Sequence, residues 1–469
     1  MNVYLPIEIK ARELEGKTLL ALVAAEKGHT VVLGEKKDTL NLAQTPHFPP
    51  GIVHDKSLTP GKYKLRDFRN LKEHGHIITS QDEESGLVDE SYDTFAKRRF
   101  SEETVSMADG VFAWGKHDQS SLQEKYPEHA DKIIATGSPR VDFWRNEFDD
   151  YYKDSTSGLE GYILIVSNFG FPIDANPFWN RVARLRDTGY FDRDPKMERY
   201  MYENTAYQYR LLHEFVVMIR ELSAEFPNEK ILVRPHPVES IDAWHKLLGE
   251  LPNVIIKREG GISGWIRNAS VLIHNGCTSA MEACVSGLPR IAYRPIPHEL
   301  EREIPNKISM QAFSMDEVKK TVSDFLARGS TKDLEKSEEV SAEIMEYRLA
   351  NLSNDFAAEK IVEEWEKMAN AKNFDTSTAE YLIQQKPTEK ASLKRKLIRR
   401  AVKARNLVFG ISATKNKNER LLSSAHKFPS LSDEEMQDMV SNLQTTLQRF
   451  NNVKRIRFGE KSFIFYADR

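Results

Sequence analysis

Cysteine is scarce: Cys277 and Cys284 are the only two in 469 residues. Two thiols exclude a disulfide framework and fit a reducing compartment. Without clustered histidines around them they make no structural zinc site. Long apolar runs are also missing, and no stretch approaches the ~20 residues of a membrane-spanning helix. The N-terminus, MNVYLPIEIKARELEGK, carries Glu8, Lys10, Arg12 and Glu13 where a signal peptide would be apolar. Gly and Pro, at 23 and 20 residues, give no low-complexity class. There is no repeat of short period, and neither a metal nor any other cofactor is expected.

What is present is ordinary soluble composition, 40% hydrophobic and 29% charged, with a net charge of −3. The charge is unevenly placed. Between Lys390 and Arg405 lie Lys390, Lys394, Arg395, Lys396, Arg399, Arg400, Lys403 and Arg405, with no acid among them, so the rest of the chain is acidic. On a helix, Leu393, Leu397, Ala401, Ala404 and Val408 form one apolar stripe flanked by those cations. A basic amphipathic helix at 390–409 suits an anionic membrane surface. Nucleic acid is set aside, because the segment lacks interleaved aromatics. The protein is therefore expected in the cytoplasm, peripheral at the inner face of the cytoplasmic membrane.

Strand and helix patterns alternate along most of the chain. NVYLPI, a helical RELEGKTLLALVAAEKGH stopped at Gly28, and TVVLG give a βαβ start. HIITS, GVFAWG and IIATGSPRVD continue it. Polar residues crowd 146–161, and a linker is expected there. A second series runs through YILIVSNFG, a long helix near 200–226, KILVRPHP, NVIIKRE, SVLIHNG and PRIAYRP. The economical fold is α/β: two Rossmann-like domains, 1–155 and 156–370, facing a cleft. A C-terminal α/β appendage at 371–469 carries the basic amphipathic helix, then a further helix and two short strands.

Two loops carry phosphate chemistry. In ILVRPHPVES an apolar strand ends in Arg234 and His236, and Pro235 and Pro237 stiffen the exit. Alone, this reads most simply as a proline-rich turn with a surface histidine. In VLIHNGCTSAMEACVSGLP a strand ends at Asn275 and Gly276, and a helix then runs from about Ser279 to Ser286 before Gly287 and Pro289. A glycine turn, helix N–H groups and the side chains of Cys277, Thr278 and Ser279 suit an anion. The plainer alternative is a capping box, since Ser279 and Glu282 satisfy S-x-x-E. Two such loops on nearby strands favour the phosphate.

The pair of loops resembles the C-terminal domain of GT-B glycosyltransferases. It is similar in particular to bacterial surface-carbohydrate (capsule, O-antigen and lipopolysaccharide) biosynthesis proteins and to the sialic acid and Kdo transferases that use CMP-sugars. The likeness extends through PIEIKARELEGKTLLA and TGSPRVD, over roughly residues 1–370. It implies a nucleotide-sugar donor held by Arg234, His236, Pro237, Asn275, Gly276, Thr278, Ser279 and Glu282. On this pattern His236 meets the nucleotide phosphate, Thr278 and Ser279 hold its oxygens, and Glu282 faces the ribose. Ser138 and Arg140, in GSPR, match a loop at the interdomain cleft.

The same resemblance asks for a base from the N-terminal domain. HIITSQDEESGLVD offers Asp82, Glu83 and Glu84 after a strand, with Ser85 where the related acid–acid–glycine pattern has glycine and Gly86 one later. Neighbouring charges can lift one carboxyl toward working pH, and Glu83 is placed first. A solvated acidic turn is the competing reading. Glu8 and Arg12 follow the first strand and either line the cleft or pair with each other. Cys277 reads as a small buried thiol, and Trp144, Trp265, Tyr151 and Tyr152 as packing. The function expected is a metal-independent glycosyltransferase of the GT-B type. It moves a sugar from a nucleotide-sugar, possibly a CMP-sugar, to a glycan or lipid-linked glycan acceptor of a surface polysaccharide. The alternatives are a nucleotide-sugar 2-epimerase or CDP-polyol phosphotransferase of the same architecture, and a non-catalytic subunit of a glycan-assembly complex.

Overall fold

The computed structural model of the chain describes residues 1–372 and 427–467, apart from 46–47, 89–90, 175, 188, 194, 328–331 and 354. The basic segment 390–409 lies outside the described residues. The chain divides into two compact units, Met1–Phe143 with Glu346–Arg469, and Trp144–Met345.

The first unit is built on an eight-stranded sheet. Its strands are β1 (Asn2–Ile7), β2 (Thr30–Glu35), β3 (Ile52–Asp55), β4 (Ile77–Gln81), β5 (Gly110–Ala113) and β6 (Ile133–Ala135), all parallel. They stand in the order β2-β1-β3-β4-β5-β6. β1 and β3 are buried along their whole length, as expected of strands covered on both faces. The helix Lys10–Glu26, buried from Leu19 to Ala25, covers part of this sheet, and Gly28 at φ 87° turns the chain into β2. The order reverses between β1 and β3, which is where an open α/β sheet leaves room for a ligand beyond its strand ends.

The second unit is a six-stranded sheet of β7 (Tyr162–Val166), β8 (Ile231–Arg234), β9 (Val254–Ile256), β10 (Ala269–His274), β11 (Arg290–Tyr293) and β12 (Met310–Ala312). All its pairings are parallel. The order β9-β8-β7-β10-β11-β12 is the doubly wound one, reversing between β7 and β10. The two phosphate-type loops leave β8 and β10, on either side of β7.

The α/β expectation, with two parallel sheets, holds: each strand segment named from the sequence overlaps a strand, although IIATGSPRVD gives only Ile133–Ala135 before a short helix at Pro139–Asp142, and YILIVSNFG stops at Val166. Three assignments change. The polar stretch 146–161 is no linker: it holds short helices at Asn146–Phe148 and Asp149–Tyr152, with Phe148 and Tyr152 buried inside the second unit. The contact boundaries fall at 143/144 and 345/346 rather than 155/156 and 370/371. The described C-terminal residues, 427–467, do not stand apart from the first sheet. β13 (Val453–Gly459) and β14 (Ser462–Ala467) form an antiparallel hairpin, and β14 pairs with β2, extending the first sheet. Phe463, Ile464 and Phe465 are fully buried there. That gain of apolar burial is what draws the tail onto the edge of β2.

Candidate functional site

In the second unit the RPHP loop is organised by a residue the sequence reading passed over. Glu239, 1% exposed, accepts hydrogen bonds from the Ser167 hydroxyl, the Phe169 N–H (2.8 Å), the His236 N–H (3.3 Å) and the Trp244 indole N–H (3.0 Å). It thereby ties the loop after β8 to the end of β7. Arg258 adds bonds from Nη1 to the Pro237 and Glu239 carbonyls. Within this frame the Val238 N–H donates to His236 Nδ1 (3.3 Å). A neutral imidazole so held carries its proton on Nε2, a donor suited to a phosphate oxygen. Burial lowers the His236 pKa, with Arg302 and Arg258 acting in the same sense and Glu239 against them, so the ring is neutral near pH 7.

Arg234 has another role than the one expected. Its Nη1 and Nη2 donate to the Glu259 and Gly260 carbonyls at 2.9 and 2.5 Å, and the guanidinium lies 5.5 Å from the Trp265 ring centroid. It is 8% exposed, and burial brings its pKa down to about 10. The guanidinium pins the segment after β9. Pro237 is exposed on the loop.

The turn after β10 pivots on His274. The Gly276 N–H donates to His274 Nδ1 (3.0 Å), and Nε2–H meets Ser309 Oγ (2.9 Å), whose hydroxyl donates to the Pro305 carbonyl (2.8 Å). Burial, with Arg290 nearby, lowers the His274 pKa to about 3, so this ring is neutral too. Gly276 sits at φ 80°, open to glycine at little cost. Both amide atoms of Asn275, Oδ1 and Nδ2, are buried without a hydrogen-bond partner among the described residues. Such orphaned atoms in a native fold call for a ligand or water.

The capping box does not form. Thr278, not Ser279, is the N-cap of the helix Ser279–Val285, and no side chain caps it. Ser279 Oγ instead accepts from the buried Cys277 thiol (3.3 Å). Ser279 is thus already helical, which moves Glu282 past the position a box requires. Glu282 is 3% exposed on the same helix. His236, Asn275, Gly276, Thr278 and Ser279 therefore gather around the point where the order of the second sheet reverses.

In the first unit, the three acids after β4 separate sharply. Asp82 accepts from Arg99 Nε (2.8 Å) and Nη2 (2.7 Å) and from the Glu84 N–H (3.0 Å). Glu84 pairs with Arg12. Burial raises the Glu84 carboxyl, but Arg12 outweighs it and leaves the pKa below the usual value. Glu83 has no hydrogen bond or ion pair to its carboxylate among the described residues. It is 9% exposed, and burial, with Glu13 adding and Lys17, Arg140 and Arg12 opposing, pushes its pKa up to about 7. The charge of Lys17 is turned elsewhere, to the Pro6 carbonyl (2.5 Å) and Glu13 (3.3 Å).

The other expected residues fall near this cluster. Arg140 Nη1 donates to the Glu83 carbonyl (3.4 Å), and Ser138, 2% exposed, is the N-cap of Pro139–Asp142. Glu8 and Arg12 do not pair with each other. Glu8 meets Lys56 (3.1 Å), Lys427 (2.7 Å) and Lys36 (3.8 Å), which overcome its burial and bring it to about 2. Lys36 and Lys64 also hold the buried Asp55 at the end of β3. Spread over 36–64 and position 427, these lysines gave no local signal.

Gly86, one position past the glycine of the acid–acid–glycine pattern, is required by packing. A Cβ there would stand 2.4 Å from Cε3 of the fully buried Trp114, whose Nε1 donates to the Asp82 carbonyl (2.8 Å). Gly86→Ala should destabilise the protein by about 1–3 kcal/mol, read as a lower chemical-denaturation midpoint. An unchanged midpoint would contradict this packing.

No family model matches the chain, and no curated protein matches it. Among solved structures, it is similar to a putative UDP-N-acetylglucosamine 2-epimerase from Listeria monocytogenes, at 14% identity and TM-score 0.47, over 80% of this chain and 97% of that one. A UDP-GlcNAc 2-epimerase from Neisseria meningitidis bound to UDP-GlcNAc is similar at 13% identity and TM-score 0.45, over 78% and 100%. The wall teichoic acid polymerase TagF with CDPG is similar at 11% and 0.42, over 69% and 73%. None of these likenesses assigns an activity to this chain.

Proposed function

We propose that the protein is a glycosyltransferase that moves a sugar from a nucleotide-sugar to a surface-glycan acceptor. The second unit holds the nucleotide phosphates through His236, Asn275, Gly276, Thr278 and Ser279, and Glu83 of the first unit is the base. Glu83 is the observation that carries the reading. Its neighbours in sequence are tied to arginines, whereas its own carboxyl is buried, has no partner among the described residues, and has its pKa raised to about 7, as a general base requires. In the reaction, Glu83 takes the acceptor hydroxyl proton as that oxygen bonds the anomeric carbon. The bond from that carbon to the donor phosphate breaks, and the leaving phosphate keeps the electron pair. Hydrogen bonds from the second unit stabilise it. The basic segment 390–409 gives such an enzyme a way to reach a lipid-linked acceptor at an anionic membrane.

A second reading, epimerisation at C2 of a nucleotide-sugar, is favoured by the same carboxyl, which could equally take a carbon-bound proton. Nucleotide-sugars incubated with and without acceptor separate the two. Transfer requires the acceptor, whereas an epimer appearing without one would replace this proposal. His236→Ala should weaken nucleotide binding about ten- to a hundredfold, the equivalent of one charge-assisted hydrogen bond of ~1.5–3 kcal/mol. Calorimetry finding unchanged affinity would remove His236 from the site.

A further inference from the structure

Of the arginines at or just beyond the carboxyl ends of β8, β9 and β11, Arg234, Arg258 and Arg294 are committed within the protein. Arg234 donates to the Glu259 and Gly260 carbonyls and Arg258 to those of Pro237 and Glu239. Arg294 binds Glu301 through Nε (3.0 Å to each carboxylate oxygen) and Gln311 through Nη1 (2.6 Å). Arg302 is different: it is exposed and has no hydrogen bond or ion pair among the described residues.

Its place is nevertheless fixed. A Cβ built on Gly276 would stand 3.1 Å from Arg302 Cβ and 3.6 Å from its Cγ, so Arg302 packs directly on the glycine of the turn. It is the N-cap of the helix Glu303–Lys307, and that helix is joined to the turn through Pro305, Ser309 and His274. The charge of Arg302 is also felt at His236, on the loop after β8. β8 and β10 flank β7, so the His236 loop and the Gly276–Arg302 pair begin about two strand spacings apart, ~10 Å. Asn275, next to Gly276 on the same turn, has both amide atoms buried and without a hydrogen-bond partner among the described residues.

We infer that Arg302 is a second anion-binding point of this site and that it sets the donor class as a nucleoside diphosphate derivative rather than a nucleoside monophosphate ester. The inference rests on the reading of this turn as a nucleotide-phosphate site. A monophosphate diester offers one charge and two non-bridging oxygens, which the His236 side or the turn can satisfy alone. A diphosphate offers twice as many, enough to engage the His236 edge and a guanidinium fork together. CMP-sugars, the donors of one group that the sequence resembles, are monophosphate esters and leave Arg302 without a counterpart.

The test is calorimetric titration of CMP, CDP, UMP and UDP into the full-length protein and its Arg302→Gln, Arg302→Lys and His236→Ala variants. Wild type should bind the diphosphate of its preferred base at least tenfold more tightly than the monophosphate. Arg302→Gln should abolish that ratio by weakening the diphosphate, and Arg302→Lys should restore part of it. His236→Ala should weaken both nucleotides. Equal affinities for mono- and diphosphate in wild type, or a ratio that survives in Arg302→Gln, would overturn the role of Arg302 while leaving the phosphate site standing. If no nucleotide binds wild type, the phosphate-site reading itself fails, and the inference falls with it.

Discussion

Glu83→Gln should abolish transfer and at the same time make the protein more stable. Both effects come from one cause, a carboxyl buried without a partner among the described residues. Its pKa rises from 4.5 to about 7 on folding. Between those values the folded protein keeps a proton that the unfolded chain has released, so stability falls as pH rises through the window. Above about 7 the full loss is present, about 3 kcal/mol for a shift of this size. Gln cannot ionise. The variant should therefore gain up to about 3 kcal/mol over wild type near pH 8 and show little gain near pH 4, where wild-type Glu83 is neutral in both states. Turnover should fall about a hundred- to ten-thousandfold, the usual worth of a general base. In wild type it should rise with pH through about 7, as Glu83 loses its proton. Denaturation curves at the two pH values together with a pH–rate profile check this. A variant destabilised at pH 8, or one that turns over normally, would show that Glu83 is neither uncompensated nor the base.

The second large effect belongs to Glu239→Ala. Four donors converge on that buried carboxylate from β7, the RPHP loop and Trp244. Removing it leaves the Phe169 and Trp244 N–H groups unmet in the interior and weakens the other two, a loss of about 3–5 kcal/mol for a broken buried charged network. It also leaves the His236 N–H held to the end of β7 by Ser167 Oγ alone (3.3 Å), so nucleotide affinity should fall in whatever protein remains folded. Glu239→Gln, which keeps one acceptor oxygen, should lie between wild type and Ala in denaturation midpoint. A loss under about 1 kcal/mol in the Ala variant would mean that the carboxylate does not organise the loop.

Local pattern revealed what local pattern determines. Apolar runs such as Ile231–Val233 and Val271–Ile273 declared covered strands, and the residues after them declared the loops. The sequence placed Glu83 first on neighbouring charge alone; that Arg12 and Arg99 pair with Glu84 and Asp82 was not legible there, because neither arginine adjoins the three acids in sequence. What stayed hidden was tertiary. Nothing near Arg302 says that it packs on Gly276, and nothing near Glu239 says that Ser167 and Phe169 converge on it. Arg234 looked like an anion ligand because its carbonyl partners, Glu259 and Gly260, lie a strand away. The closing hairpin was visible as two strands, but its pairing with β2 joins residues at opposite ends of the chain. A short strand such as Ile52–Asp55, carrying His54 and Asp55, lacks the apolar run that marked the others.

The most direct test of the account is amide hydrogen exchange of the wild-type protein with and without saturating CDP or UDP. The account predicts protection concentrated in Pro235–Ser240, Asn275–Glu282 and the segment around Arg302. Binding that leaves all three unprotected while protecting residues elsewhere would contradict it.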